Sequence, residues 1–175
     1  MMTPFPKQQA AIEALVEILA SRPTAAALNS SHTGTGKTLC AVEVARRLGV
    51  PAFVVCPKVV VPSWRRTFAE QGVEVVDVIN YEKLRRGTTP YGGWVGKDFI
   101  WRLAPGSLVI WDEVHRAQGA YTQNARMVVG AKLCGLRSMA LSATAAEDPT
   151  EMRALGYLLD LHNLRNFVSW AMAHG

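Results

Sequence analysis

Residues 31–38, SHTGTGKT, constrain this chain more than any other stretch. Gly34 and Gly36 let the backbone turn tightly and bring its N–H groups close to an anion. Lys37 adds a mobile positive charge for terminal phosphates, and Thr38 a hydroxyl able to ligate magnesium. Thr33 and Thr35 fill the rest of the loop. The flanks agree with a phosphate-gripping loop. Residues 25–28 are an apolar run of the length of a buried strand. Leu39, Val42, Ala45 and Leu48 then share one helical face, and Gly49 and Pro51 stop that helix. Strand, glycine loop and helix in this order aim a helix N-terminus at phosphate groups. Ser31 stands where the pattern prefers Ala or Gly, a mild departure because Ser is small. An ordinary Gly/Thr turn before a helix would not carry these flanks.

Hydrophobic periodicity organises the remainder. Residues 7–21 read as an amphipathic helix with Ile12, Leu15, Val16 and Leu19 on one face. Gln8 lies in its first turn, where an amide can offer both a donor and an acceptor to an adenine edge. Residues 52–56 (AFVVC) read as a second buried strand. In the helix that follows, Pro62 marks the start and Gly72 the stop, and Trp64 and Phe68, four apart, share the buried face. That leaves Lys58, Arg65 and Arg66 for the loop and the exposed side, a phosphate-contacting surface or a plain basic face. Residues 75–79 are a third strand, followed by a short basic helix at 80–86. Residues 87–98 (GTTPYGGWVGKD), with four glycines and a proline, read as a mobile loop whose Tyr91 and Trp94 either stack on bases or tuck back onto the core. Residues 108–111 and 139–141 are further strands, separated by a helix over 122–134. Asp148, Pro149 and Glu151 form a helix start, and the chain from there is helical in pattern, anchored by Leu155, Leu158, Leu159, Phe167 and Trp170. Strands alternating with helices predict an α/β fold: a doubly wound, mostly parallel sheet with helices on both faces. That topology brings the phosphate loop and the end of the 108–111 strand to one carboxyl edge.

Composition narrows the partners. A net charge of +5 leans towards a polyanion, and residues 114–146 hold no Asp or Glu but do hold Arg116, Arg126, Lys132 and Arg137. Solvated helix faces would give the same pattern. Cys40, Cys56 and Cys134 have no metal-ligand spacing and read as reduced core thiols of a cytoplasmic protein. No apolar run approaches membrane-spanning length, and MMTPFPKQQ lacks the pattern of a secretory leader.

The buried strand at 108–111 runs straight into Asp112 and Glu113, the pair phosphoryl transfer requires: one acid for magnesium and one to orient the attacking water. With these residues the order of motifs resembles the N-terminal motor lobe of superfamily 2 DEAD/DEAH-like helicases. TGTGKT resembles motif I, VVCPKVVVPSW motif Ia, INYEKL motif Ib, WDEVHRAQG motif II and LSAT motif III. CPKVVVPSW and NYEKL look most like the Swi/Snf-type branch, and the combination also resembles phage-encoded DNA helicases.

The resemblance implies a P-loop NTPase, RecA-like lobe over residues 1–175 that binds ATP with Mg2+. It implies ATP hydrolysis coupled to movement on nucleic acid, DNA rather than RNA. The location would be the cytoplasm, for a phage-encoded chain that of an infected host cell. It assigns Gln8 to adenine, residues 33–38 to the phosphates, Thr38 and Asp112 to the metal, and Glu113 and Lys37 to catalysis. His115, Ser142 and Thr144 would connect nucleotide state to the nucleic-acid track. Pro57, Lys58, Trp64, Arg65, Asn80 and Tyr81 would lie along that track. Such motors hold ATP between two lobes, and no second set of motifs follows LSAT here. A second lobe is therefore expected in a partner chain or in a further part of the protein. Without one, the alternative is a nucleotide-responsive binding module that turns nothing over.

Overall fold

The computed structural model describes residues 4–32, 34–119, 121–144 and 148–174. Within them, β1 (Ala26–Asn29), β2 (Ala52–Cys56), β3 (Asp77–Asn80), β6 (Leu108–Asp112) and β7 (Arg137–Leu141) form one five-stranded sheet in the order β1-β7-β6-β2-β3. Every pairing in it is parallel. All five strands expected from the sequence are present, and the doubly wound expectation holds. Side chains alternate between faces as the pleat requires. Ala52, Val54 and Cys56 pack under α1 (Pro6–Ala20), α2 (Lys37–Leu48) and α3 (Val61–Gln71). Phe53 and Val55 face α4 (Tyr81–Arg85) and α5 (Gln123–Leu133) on the other side. Burial of both faces explains the unbroken apolar run LVIW in β6.

Helix ends follow the sequence signals closely. Gly49 and Gly72 close α2 and α3 at φ +63°, a conformation costly for any residue with a Cβ. Asn80 and Thr122 cap α4 and α5 by accepting from Lys83 N and Ala125 N.

Two expectations need correction. Residues 87–98 are not a loop throughout: β4 (Gly92–Val95) and β5 (Asp98–Trp101) pair as an antiparallel hairpin. Its strands are four residues long and contain Gly92 and Gly93, so no alternation marks them. Tyr91 and Trp94 tuck back rather than project: the Tyr91 ring lies 4.8 Å from Phe53, and Trp94 Nε1 donates to Arg85 O. The C-terminal region is not one helical run either. A 3-10 turn at Pro149–Met152 leads into α6 (Arg153–Leu158), and α7 (Phe167–His174) begins only after a non-helical bridge. The break falls at Asp160, which adopts φ +62° and pairs with Lys132 and Arg22.

The basic residues of the acid-poor stretch are largely absorbed by the fold. Arg137 donates to the carbonyls of Leu19 and Gly106, Lys132 to Tyr157 O and Asp160, and Arg126 to Lys97 O. Cys40, Cys56 and Cys134 are free thiols, and burial pushes Cys56 up to about 12. Among the described residues no helix is long and apolar enough to cross a membrane.

The hairpin is locked to α5 at Gly130, where a Cβ would fall well inside contact distance of the Phe99 carbonyl oxygen. Gly130→Ala should therefore lower stability by about 1–3 kcal/mol, although Ala is the better helix former. Urea unfolding checks this; an unchanged or raised midpoint would show that the α5–β5 contact yields freely.

Candidate functional site

The parallel register sets three strand ends at one level. Leu141 of β7 stands opposite Asn29 of β1 on one side and Asp112 of β6 on the other. The glycine loop, Ser142 and Glu113 all follow directly from this row. Asn29 shapes the loop: its Oδ1 accepts from Ser31 N (3.1 Å) and Ser31 Oγ (2.6 Å). Thr35 Oγ1 closes the turn onto His32 O at 2.8 Å and Ser31 Oγ at 3.0 Å.

Gly34 and Gly36 both stand at φ +79°, and a Cβ on Gly36 would meet Gln8 Nε2 at 2.5 Å. Gly36 thus supplies both the left-handed turn into α2 and the room for α1 to approach. From here α2 begins, so the amides of Lys37, Thr38 and Leu39 lack intrahelical acceptors and offer a positive helix end. Lys37 Nζ donates to Ser31 O at 2.6 Å and His32 O at 2.9 Å, leaving its third proton for a ligand. Gln8 accepts from Phe5 N and donates to Thr35 O, both at 2.8 Å, which keeps one N–H and one lone pair of the amide available.

A cavity of about 750 Å³ opens here. Gln8, Gly34, Thr35, Gly36 and Thr38 line it, together with Phe5, Asn29 and Thr67, which the sequence did not single out. Asn29 had a visible signal as the polar end of a buried strand. Thr33 lies outside the described residues.

Asp112 ends β6 partly buried. Its Oδ2 accepts from Trp64 Nε1 at 2.8 Å, and its main-chain oxygen accepts from the Tyr81 hydroxyl at 2.8 Å. Burial holds its carboxyl above the usual aspartate range, with the Trp64 N–H acting against the shift. Glu113 follows at φ 52°, ψ 52°, a strained conformation for a residue with a side chain and one that tends to mark functional positions.

A side-chain chain leads on from Glu113. His115 Nδ1 lies 3.1 Å from Glu113 Oε2 and 3.2 Å from Ser142 Oγ. Ser142 Oγ donates to Thr144 O at 2.6 Å and accepts from Thr144 N at 3.2 Å. With the serine proton committed to Thr144, both neighbours of His115 Nδ1 are acceptors, which assigns the ring proton to Nδ1.

The expected track residues divide. Pro57, Lys58 and Asn80 line a second cavity on the same edge, about 590 Å³, joined there by Lys83, Arg86 and Arg116 and by one acid, Glu82, which pairs with Arg116 at 3.6 Å and leaves the lining basic on balance. Lys83 and Arg86 belong to the helix read as basic from the sequence. Trp64 and Tyr81 are each 1% exposed and point inward to Asp112, so neither side chain reaches a strand lying in that cavity. This corrects their assignment as nucleic-acid contacts. The guanidinium of Arg65 is spoken for as well, by Asp77 at 2.9 Å and Val78 O at 3.1 Å.

The family description "Type III restriction enzyme, res subunit" matches residues 1–91, just over half of the sequence. The chain belongs to this family. It is also 31% identical over 163 residues to a protein of Acanthamoeba polyphaga mimivirus named provisionally as an ATP-dependent RNA helicase, covering 80% of this chain and 30% of that protein. The chain thus spans less than a third of this relative. Its fold matches the SWI2/SNF2 ATPase core of Sulfolobus solfataricus, solved with double-stranded DNA, at a TM-score of 0.70. That match has 17% identity and covers 97% of this chain and 38% of the other. Family, relative and fold agree with the superfamily 2 motor lobe that the motifs resemble.

Because burial raises its carboxyl, ionised Asp112 opposes folding. The advantage of the neutral form is complete below the unfolded pKa, about 3.9, and is lost as pH rises through the higher folded value. Asp112→Asn, which keeps an acceptor for Trp64, should raise the thermal midpoint at pH 7 and lose that gain in acid. A variant less stable than the parent at pH 7 would contradict this.

Proposed function

We propose that this chain is the ATP-binding first lobe of a nucleic-acid-dependent ATPase, a helicase or translocase. The observation that carries the reading is the shared level of Asn29, Leu141 and Asp112, from which the glycine loop and the acidic pair both emerge. The loop amides, Lys37 and the α2 terminus hold the phosphates, and Gln8 offers its remaining amide groups to the base. Thr38 and Asp112 are hard oxygen donors that fit magnesium, and among the described residues no cluster of three or more His, Cys, Asp or Glu competes for a metal. Held by Thr38 and Asp112, magnesium would supply positive charge to the terminal phosphates. Glu113 orients the attacking water, with His115 against its carboxylate to report the state of the site to Ser142 and Thr144. DNA is the track we assign, in keeping with the Swi/Snf-type motifs and the duplex in the Sulfolobus solfataricus structure.

Hydrolysis needs positive charge beyond Lys37 in the transition state, and a facing lobe would supply it. Among the described lining residues of the 750 Å³ cavity, Lys7 is the sole cation and there is no arginine. Arg153 lies over the Tyr121 ring, lining a different cavity. We therefore expect residues 1–175 to bind ATP but to hydrolyse it near background, since an arginine finger is worth about 10³-fold or more. Lys37→Ala should abolish nucleotide binding. With a facing lobe supplied, Glu113→Gln should cut turnover by roughly 10²-fold or more. Nucleotide titration and steady-state phosphate release check these; robust turnover by the parent alone, lost in Glu113→Gln, would show that this lobe has its own finger.

The basic cavity predicts the second activity. Nucleic-acid binding should weaken steeply with salt through counterion release. Charge reversal at Lys58 or Lys83 should weaken it about equally across sequences, and reversal at Arg65 should matter less. Filter binding over a salt series measures this, and a salt-independent affinity would leave the cavity as an ordinary basic surface.

A further inference from the structure

The basic cavity and the acidic pair are joined by two buried aromatic side chains. Trp64 lies on α3, one turn beyond the segment that carries Lys58. Tyr81 is the first residue of α4, directly after Asn80. Their polar atoms converge on a single residue, Asp112: one on its carboxylate, the other on its main-chain oxygen. We propose that Trp64 and Tyr81 are positioning residues for the acidic pair, Trp64 fixing the plane of the Asp112 carboxylate and Tyr81 pinning the peptide that joins Asp112 to Glu113. The proposal rests on the reading of Asp112 as the magnesium acid.

The partner chosen by Trp64 is informative. Trp94 and Trp101 donate to main-chain carbonyls and Trp111 to a serine hydroxyl, as buried indoles commonly do. Trp64 donates to a carboxylate, a charge-assisted bond that holds its acceptor more firmly. The Tyr81 bond falls where rigidity is most useful, on the peptide just before Glu113 enters its strained φ of 52°. A peptide free to rock at that point would swing the Glu113 side chain. Packing alone does not account for the Tyr81 bond, because a phenylalanine fills that slot without it; at Trp64 a phenylalanine also leaves space, which the packing control below separates from the lost bond.

The test is nucleotide binding by residues 1–175 across a magnesium series, with a fluorescent ATP analogue as probe. Trp64→Phe should raise the magnesium concentration at half-saturation about tenfold, the scale on which groups behind a metal's ligands act, and leave metal-free nucleotide affinity unchanged. Tyr81→Phe should move it in the same direction by less. Phe68→Leu is the packing control. Phe68 is as buried as Trp64, with ring centroids 6.2 Å apart, and it makes no bond to Asp112; this variant should lower thermal stability without moving the magnesium midpoint. A parent with no magnesium-dependent binding would overturn the nucleotide reading and this proposal with it. A responsive parent whose two Phe variants titrate as it does, or whose Phe68→Leu variant shifts equally, would overturn the positioning role alone. Should Trp64→Phe not fold, Tyr81→Phe, which removes one oxygen, decides the question.

Discussion

The parallel register of β1, β7 and β6 is the constraint on which the rest of the molecule depends. Because Asn29, Leu141 and Asp112 share one level, three separate segments leave the sheet side by side. Each then does what its first residues dictate. Asn29 folds the loop by accepting from Ser31, β7 delivers Ser142, and β6 turns through Glu113 towards His115. A one-residue slip in any pairing would move a strand's buried set to the opposite face. With apolar layers on both sides of the sheet, hydrophobic burial therefore fixes the site geometry as a by-product of forming the core.

The edge keeps features that folding alone would discard. Asp112 is held partly buried with its carboxyl raised, and Glu113 occupies a backbone conformation that few side chains tolerate. Both oppose stability and persist because the surroundings over-determine them. The core around the β6 terminus is correspondingly dense in rings: Tyr81 lies 6.4 Å from Trp111, which meets Trp101 edge-on at 5.7 Å. A rigid aromatic wall of this kind can hold an unfavourable turn in place.

Most of the fold was legible because its signals are local. The five sheet strands are apolar runs, and α1 to α3 carry clear periodicity with glycine or proline at their ends. The hairpin at 92–101 was hidden because its pairing depends on packing against Gly130, a contact about thirty residues away in sequence. The break after α6 was hidden for a similar reason, since Asp160 is held by Lys132 and Arg22. In the candidate site, the phosphate loop and the acidic pair were readable as strings. The destinations of Trp64 and Tyr81 were not. Periodicity had already put Trp64 on the buried face of its helix, beside Phe68, whereas the motif resemblance put it along a track. Burial decides in favour of periodicity, and the indole reaches the acid from within.

Asp112 and Glu113 are consequently held from several directions at once. Trp64 and Tyr81 approach from the side of the basic cavity, and His115, backed by Ser142 and Thr144, approaches from the side of β7. Close-packed groups of this kind have few intermediate arrangements, because a small displacement leaves a buried donor without its acceptor. A ligand that shifted α3 or α4 would thus meet resistance at Asp112. The two cavities are separate in their linings, yet α3, whose Thr67 lines the larger one, and α4, whose Lys83 lines the basic one, each send a hydrogen bond to Asp112. A displacement of either helix would therefore bear first on Asp112, because each helix ends one of its buried hydrogen bonds there.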